Sequence, residues 1–429
     1  MRILFVPLIC AALSPLLAAA PSIARAEAES AADPAAPPGQ DAARPAPLGL
    51  DQAVQTALNG HPLLSALRNE LEGGDGAIRQ ADLPPNPTLS LEQEDTRAAT
   101  RTRTLMLTQT LELGGKRAAR TELARRDRDL AALELQARRA ELRAGVTLAF
   151  HEVLIAQERL RVAQQSLQLA GSAAQAAAQR VTAGKVSPTE QTRAQVAQAT
   201  AGIELRQARA DLAAALQALC AAMGVAPGTV DAVQGRLDAL PPLPEPELLA
   251  QRLQDAPQLQ LARMAVQRAA AAAELERRRA VPDLSVGIGS QRAADLGRSQ
   301  PMFSLSLPIP LFDRNQGAQL QALRRRDAAE SLAQAEEQRL RAEVLQTAAQ
   351  LQARLDEVQA LNREVLPGAQ SAYDAARRGF ELGKFGFLDV LDAQRTLLQA
   401  RGQYFAALSQ AHRLGAELER RLGAPAGGR

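Results

Sequence analysis

The sequence predicts a mainly α-helical protein with a small transmembrane β part, duplicated as strand hairpin plus long helical hairpin and closed by three copies into a 12-stranded barrel. Three observations lead there. First, the chain is written twice: Pro62 falls on Pro257 and Pro87-Thr88-Leu89-Ser90-Leu91 on Pro282-Asp283-Leu284-Ser285-Val286 at an offset of 195. The offset grows to 198 at Leu107/Leu305 and Leu113/Leu311, and to 199 at Gly184-Lys185/Gly383-Lys384 and Gly224/Gly423. Second, the apolar period in each copy switches from two to a heptad-like pattern. Third, there is no Trp, with 2 Tyr and 8 Phe, in a chain dominated by Ala, Leu, Gln, Arg and Glu. That is the profile of long helices packed through Leu and small residues. A unit of nearly 200 residues far exceeds solenoid repeats of about 20–50, so two large halves form one pseudo-symmetric body.

The chain starts with a secretory signal over residues 1–26: Arg2 supplies the positive start, Ile3–Ala20 the apolar stretch, and Ala24-Arg25-Ala26 the cleavage site. The alternative is an uncleaved anchor, which Pro7 and Pro15 weaken. Cys10 in Leu8-Ile9-Cys10 comes too early for lipidation, because cleavage there would leave almost no apolar segment. Loss of Arg2 and Arg25 reduces 50 basic residues to 48 against 47 acidic ones. The mature chain is therefore near neutral and carries no basic block interleaved with aromatics, so nucleic acid is not an expected partner. Cys220 is the one cysteine left, which excludes an intramolecular disulfide. No further apolar run of about 18 residues occurs; a second encounter with a membrane would have to use strands.

Residues 27–46, rich in Ala and Pro, read as a flexible mature N-terminus. The first structural repeat is expected over 47–224. It begins with a helical pattern from Leu48 to about Asp82, interrupted at His61-Pro62 and ended by Pro84-Pro85-Asn86-Pro87. A β-hairpin follows at about 87–113, where Leu89, Leu91, Leu105 and Leu107 alternate with polar residues around the loop Asp95–Arg103. Long helices are then expected over 117–183 and 188–223, the first spanning roughly 100 Å at 1.5 Å per residue. Leu142, Val146, Ala149, Phe150, Val153 and Leu160 supply a coiled-coil seam. A linker rich in Pro, Gly and Asp occupies 225–246. The second repeat, 247–423, repeats the plan: β-hairpin at about 282–311, helices over 315–382 and 387–422, and a seam of Leu340, Val344, Ala348, Leu351, Leu355 and Val358. Pro367 predicts a bend that the first copy lacks. Residues 424–429 form a tail.

A hairpin followed by a helix of roughly 100 Å is no compact domain. Four short strands neither close a barrel nor span a bilayer alone, whereas three copies give twelve, within the outer-membrane range. The same three copies would gather the helical hairpins into a hollow cylinder.

The residues at the second turn between helices carry a resemblance. Gly379-Phe380-Glu381-Leu382-Gly383-Lys384-Phe385-Gly386-Phe387-Leu388-Asp389-Val390-Leu391-Asp392-Ala393-Gln394 is similar to the second helix-tip turn of the TolC-type outer-membrane efflux factors, and Gly184–Gln195 to its weaker counterpart. Leu307-Pro308-Ile309-Pro310-Leu311-Phe312-Asp313 resembles that family's hairpin ends. Gln109-Thr110-Leu111-Glu112-Leu113-Gly114-Gly115-Lys116-Arg117 resembles members that serve cobalt-zinc-cadmium class exporters. The resemblance covers essentially the whole mature chain. It implies a homotrimer in the outer membrane of a Gram-negative bacterium, embedded in lipid and continued by a periplasmic α-helical barrel. It also implies docking on a periplasmic adaptor (membrane fusion) protein and an inner-membrane proton-driven pump, for export of heavy-metal cations. Drug export and protein secretion use the same architecture. A periplasmic coiled-coil adaptor without a pore is the reading from another class, and it leaves two equivalent strand pairs unexplained.

The resemblance makes Asp389 and Asp392 aperture residues: three apart on one helix, they would form rings of six carboxylates in a threefold tube and attract cations. Spacing alone equally fits a solvated face or a first-turn charge favoured by the helix dipole. Phe380 stands where the family has an aromatic hydroxyl, so a tyrosine-based latch is not expected. In the first copy, Glu190 and Arg193 occupy the aspartate positions, which makes the two tips electrostatically unlike. Gly184, Lys185, Gly383 and Lys384 are the expected adaptor contacts, with helix stops as the plainer reading of the glycines. No catalytic constellation, cofactor site or phosphate-binding glycine loop is present, and His61, His151 and His412 are scattered without metal-ligand companions. An enzyme is not expected.

Overall fold

The computed structural model describes residues 47–423. The signal segment 1–26, the N-terminal stretch 27–46 and the tail 424–429 lie outside the described residues. The element order is α1 (Leu50–Gly60), α2 (Pro62–Ala81), β1 (Thr88–Glu94), β2 (Thr102–Leu111), α3 (Lys116–Thr182) and α4 (Pro188–Met223). It continues as α5 (Pro246–Gln254), α6 (Pro257–Arg279), β3 (Leu284–Ala293), β4 (Ser299–Ser306), α7 (Gln316–Ala360), α8 (Leu366–Glu381) and α9 (Phe387–Leu422). The duplication is thus visible element by element, α1–α4 against α5–α9. It extends to contacts: Pro62 packs against Gly224 at the end of α4, and Pro257 against Gly423 at the end of α9.

The seam residues form the core. In the first half, Val146, Phe150 and Val153 of α3 pack on Leu219, Cys220 and Met223 of α4 under Ala53, Val54 and Ala57 of α1. In the second, Leu340, Val344, Leu351 and Leu355 of α7 pack on Ala411, Leu418 and Leu422 of α9 under Leu249, Leu253 and Leu259. Further down each hairpin the contacts shrink toward alanine, ending in Ala174 and Ala177 of α3 on Ala194 of α4. The segment 225–245 is more than a tether. Val230 and Val233 are buried in the first core, and Leu48 pairs with Val233 in a parallel bridge.

The run expected to be one helix over 315–382 is divided. Between α7 and α8, Leu361–Val365 form a π-helical turn, one residue before the pair Leu366-Pro367. Above this turn the halves superimpose at an offset of 198, with Val146 on Val344 and Val153 on Leu351. Below it the offset is 199, with buried Ala170 on Ala369 and Ala177 on Ala376. The second copy holds one extra residue, and the wider π turn absorbs it so that the buried face resumes in phase. Pro367, which cannot donate a backbone hydrogen bond, sits where the helical ladder is already opened.

The four strands make one antiparallel sheet in the order β1-β2-β3-β4. Register sorts its faces: Leu89, Leu107, Ile288 and Phe303 lie in one row, and Leu91 and Leu105 in the next. The other face carries Thr88, Thr108, Gly287 and Ser304, then Glu92, Thr104, Gln291 and Gln300. The apolar face is bare, with Leu91 75% and Phe303 82% exposed. No described helix is long and apolar enough to cross a membrane.

Polar contacts join sheet and shaft. The Asp283 carboxylate accepts from Leu113 N (3.1 Å) and Lys116 Nζ (2.8 Å), tying the exit of β2 to the entry of β3. Arg120 grips Glu112 at 2.7 Å and also donates to the Ala81 and Leu83 carbonyls. Both long helices leave the sheet through a left-handed residue, Gly115 (φ 75°) before α3 and Asn315 (φ 59°) before α7. The Asn315 amide compensates by donating to Glu276 O at 2.8 Å.

On the polar face Gly289 has no room for a side chain, because a Cβ there would lie 2.4 Å from the Leu105 carbonyl oxygen. Gly289→Val is therefore expected to cut the yield of folded protein about tenfold or more, as overpacking costs about 1–3 kcal/mol and more where the obstacle is backbone. Ser290→Val, one residue on and facing the apolar side, is expected to leave the yield unchanged; quantifying protease-resistant folded protein compares the two.

Candidate functional site

The tips of the two helical hairpins are built alike. At the first, Gly184 (φ +70°) ends α3, and the backbone N–H of Lys185 reaches back to Arg180 O at 2.9 Å. At the second, Gly383 (φ +73°) ends α8, and the N–H of Lys384 reaches Gly379 O at 2.8 Å. Both are the glycine-closed helix ending in which a left-handed residue lets the chain satisfy the last carbonyls. Gly184, Lys185, Gly383 and Lys384 are all exposed. The second tip has an extra feature, since Phe385 folds onto Gly379, where a Cβ would meet the ring at 2.2 Å.

The following helices start differently. Ser187 caps α4 by accepting from Thr189 N at 3.3 Å. At α9 that role falls to Asp389, whose Oδ2 accepts from Gly386 N at 2.8 Å. Asp389 is thus a first-turn carboxylate held by a backbone donor and by the positive end of the helix. Asp392, one turn on and exposed, lines a groove of about 670 Å³ between α4 and α9. Arg193, its counterpart in the first copy, lines the same groove together with Glu204 and Arg395. The structure therefore gives the two aspartates separate surroundings.

The hairpins are joined near their ends by a contact that sequence reasoning missed. The guanidinium of Arg180, on the last turn of α3, lies 4.1 Å from the centre of the Phe380 ring on α8. Its Nη2 also donates to Phe380 O at 3.4 Å. A cation over an aromatic face contributes about 0.5–1 kcal/mol at such a partly exposed place. Phe380 further packs with Ala174, Ala177 and Leu391, closing the apolar layer behind the tips. No local pattern marks this contact, which joins residues 200 apart.

The histidines part company in space. His61 caps α2 by accepting from Leu63 N at 3.1 Å. His151 and His412, scattered in sequence, stack with ring centroids 3.8 Å apart. Among the described residues no group of three or more His, Cys, Asp or Glu could hold a metal ion.

Comparison with known proteins decides the family. The model for the outer membrane efflux protein family matches twice, over residues 53–225 and 248–424. The chain belongs to this family. It is a transport conduit, not an enzyme. The cobalt-zinc-cadmium resistance protein CzcC of Cupriavidus metallidurans is 42% identical over 377 residues, covering 88% of this chain and 90% of that one. Among solved structures, the channel protein CusC aligns with a TM-score of 0.76 at 21% identity, over 88% of this chain and 92% of that chain. The outer membrane protein VceC of Vibrio cholerae aligns with a TM-score of 0.70 at 21% identity, over 87% and 96%. These likenesses establish the fold: a long helical part carrying a small sheet.

The capping role of Asp389 has a measurable consequence. Asp389→Ala is expected to destabilise the start of α9 by about 1 kcal/mol, raising amide exchange at residues 386–390 roughly fivefold, whereas Asp389→Asn retains an acceptor and most of the protection. Exchange mass spectrometry on the full chain distinguishes the two.

Proposed function

We propose that this chain is the outer-membrane exit duct of a tripartite exporter of heavy-metal cations in a Gram-negative bacterium. The observation that carries the cargo class is the 42% identity to a cobalt-zinc-cadmium resistance protein over 88% of the chain. What supports the duct is the sheet. Its outer face is apolar, its inner face is polar, and β1 and β4 each leave one edge open within the chain. The 10-residue strands β2 and β3, rising about 3.3 Å per residue and tilted about 40°, match an apolar band of roughly 25 Å. Three copies pair β4 of one with β1 of the next, closing twelve strands in outer-membrane lipid, while the helical hairpins assemble the periplasmic tube.

In this reading Gly184, Lys185, Gly383 and Lys384 meet a periplasmic adaptor, and the adaptor links the tube to an inner-membrane proton-driven pump. Asp389 and Asp392 ring the aperture. Six carboxylates on a threefold axis raise the local cation concentration and repel anions. A duct for metal ions is better served by such shallow attraction than by chelation, because a deep site would hold its passenger.

Single-channel recording of the full protein in planar bilayers tests this. The wild type is expected to pass small, cation-selective currents. Asp389→Asn/Asp392→Asn, which spares the helix cap, is expected to lower cation-over-anion selectivity several-fold. Folded oligomer without conductance in either form would remove the duct. For the cargo, expression in a host lacking the corresponding channel of a cobalt, zinc and cadmium exporter is expected to restore growth in those metals. Restored resistance to organic toxicants alone would reassign the substrate class.

A further inference from the structure

His151 and His412 stand 261 positions apart in sequence yet meet halfway along the shaft, His151 near the middle of α3 and His412 in the upper part of α9. Their rings are 3.8 Å apart between centroids and tilted by 35°. Both are more than nine-tenths buried, at 8% and 6% exposure. Nδ1 of His151 lies 3.0 Å from the Thr147 carbonyl oxygen, an acceptor only, so this nitrogen carries the proton and Nε2 keeps the lone pair. Nε2 of His412 is buried without a partner. Beside them, Ser409 of α9 donates to Glu152 Oε1 of α3 at 2.5 Å, a second polar link across the same seam. Around these links the seam is apolar, with Ile155 of α3 packed on Phe405 and Leu408 of α9.

Neither ring is paired with a carboxylate among the described residues. On α3, Glu152 is engaged by Ser409, and Glu158 by Arg161. On α9 the adjacent charge is Arg413, itself a cation. On the crossing segment Arg236 and Asp238 pair with each other at 3.0 Å, and on α7 Arg354 pairs with Glu357 while Asp356 accepts from Gln352. On α1 the one carboxylate is Asp51, and α4 has no charged residue from Leu212 to Met223. Burial lowers the His151 imidazole to about 4; burial and then the neighbouring His151 lower His412 to about 3. The pair has no counterpart in the duplication: Ala349 takes the place of His151 at offset 198, and Ala213 that of His412 at offset 199.

We propose that the stacked His151–His412 pair is an acid-sensitive joint between the first and second helical hairpins, sealing α3 against α9 while both rings are neutral and parting them when either is protonated. An imidazole released from the seam regains its ordinary value near 6.5, whereas in the closed seam it stays neutral far below that. The parted form thus binds more protons, and closure weakens as pH falls below about 6.5, by roughly tenfold per pH unit for each ring. Above that pH the joint contributes its full stability. The inference is independent of which cargo the duct carries.

Amide hydrogen exchange on the full-length protein in detergent, corrected for intrinsic pH dependence, tests it between pH 7.5 and 5. Opening of segments 147–156 and 405–415 is expected to rise about tenfold or more below pH 6.5. In His151→Phe/His412→Phe, which keeps two stacked rings and removes both titrations, it is expected to stay level. A wild type that stays level, or a variant that follows the wild-type slope, overturns the proposal. Should the double variant not fold, histidine-selective ¹³C labelling of the wild type decides, because the chain has 3 histidines. Two signals that protonate together with the loss of protection support the joint. Three that titrate with no change in protection refute it.

Discussion

Everything in this molecule follows from a sheet that cannot be satisfied alone. Four strands present one bare apolar face and two edges of unpaired backbone groups. In hydrocarbon each unpaired N–H or C=O costs several kcal/mol, so open edges are not tolerated and closure is obligatory. In the proposed barrel, closure by copies of the same chain then dictates the rest. Each chain must deliver its helices at the same angle from the sheet, and the neck is accordingly dense in fixed contacts: Asp283 on Leu113 and Lys116, Arg120 on Glu112, Asn315 on Glu276. Left-handed Gly115 and Asn315 immediately precede α3 and α7, the long helices of the two halves.

A duplicated chain makes one ring position twice, and its two halves must stay in register over roughly 100 Å of helix. One extra residue in the second half would rotate every later side chain by about 100° and turn the alanine face outward. The π turn at Leu361–Val365 removes that error locally. Ala369 and Ala376 return to the positions of Ala170 and Ala177, and the glycine turns at 184 and 383 finish level. The extra residue has been accommodated in the shaft, where packing can spread a bulge, and kept out of the tips, where geometry is tight.

Periodicity made the fold legible in the sequence. Alternation in Leu89–Leu91 and Leu105–Leu107 marked strands, and recurrence at Val146, Phe150, Val153 marked the seam, because both patterns are local and repeated. The tip motif around Gly383 and Asp389 was legible instead through its resemblance to the family's helix-tip turn. What escaped was non-local. Arg180 on Phe380 joins residues 200 apart, and His151 on His412 depends on antiparallel helices meeting at one height. Neither leaves a trace in any window of the chain. The π turn escaped differently: the offset recorded an added residue, but Pro367 pointed to a bend, and a widened turn just ahead of it reconciles the two.

Charge is abundant on the shaft, and part of it is cancelled within a helical turn. Pairs such as Arg126–Glu122, Arg277–Glu274 and Arg339–Glu343 are exposed and three or four residues apart. Each contributes only a few tenths of a kcal/mol, so the tube owes its stability to the apolar seams. The tips break this pattern, since Asp389 and Asp392 have no cation within their own helical turn to which they are bound among the described ion pairs. Of the two, Asp389 is committed to the Gly386 amide. Asp392 has no such backbone obligation and shares its groove with Arg193 and Arg395. A change in how α4 and α9 lie together therefore alters the surroundings of Asp392 before those of Asp389.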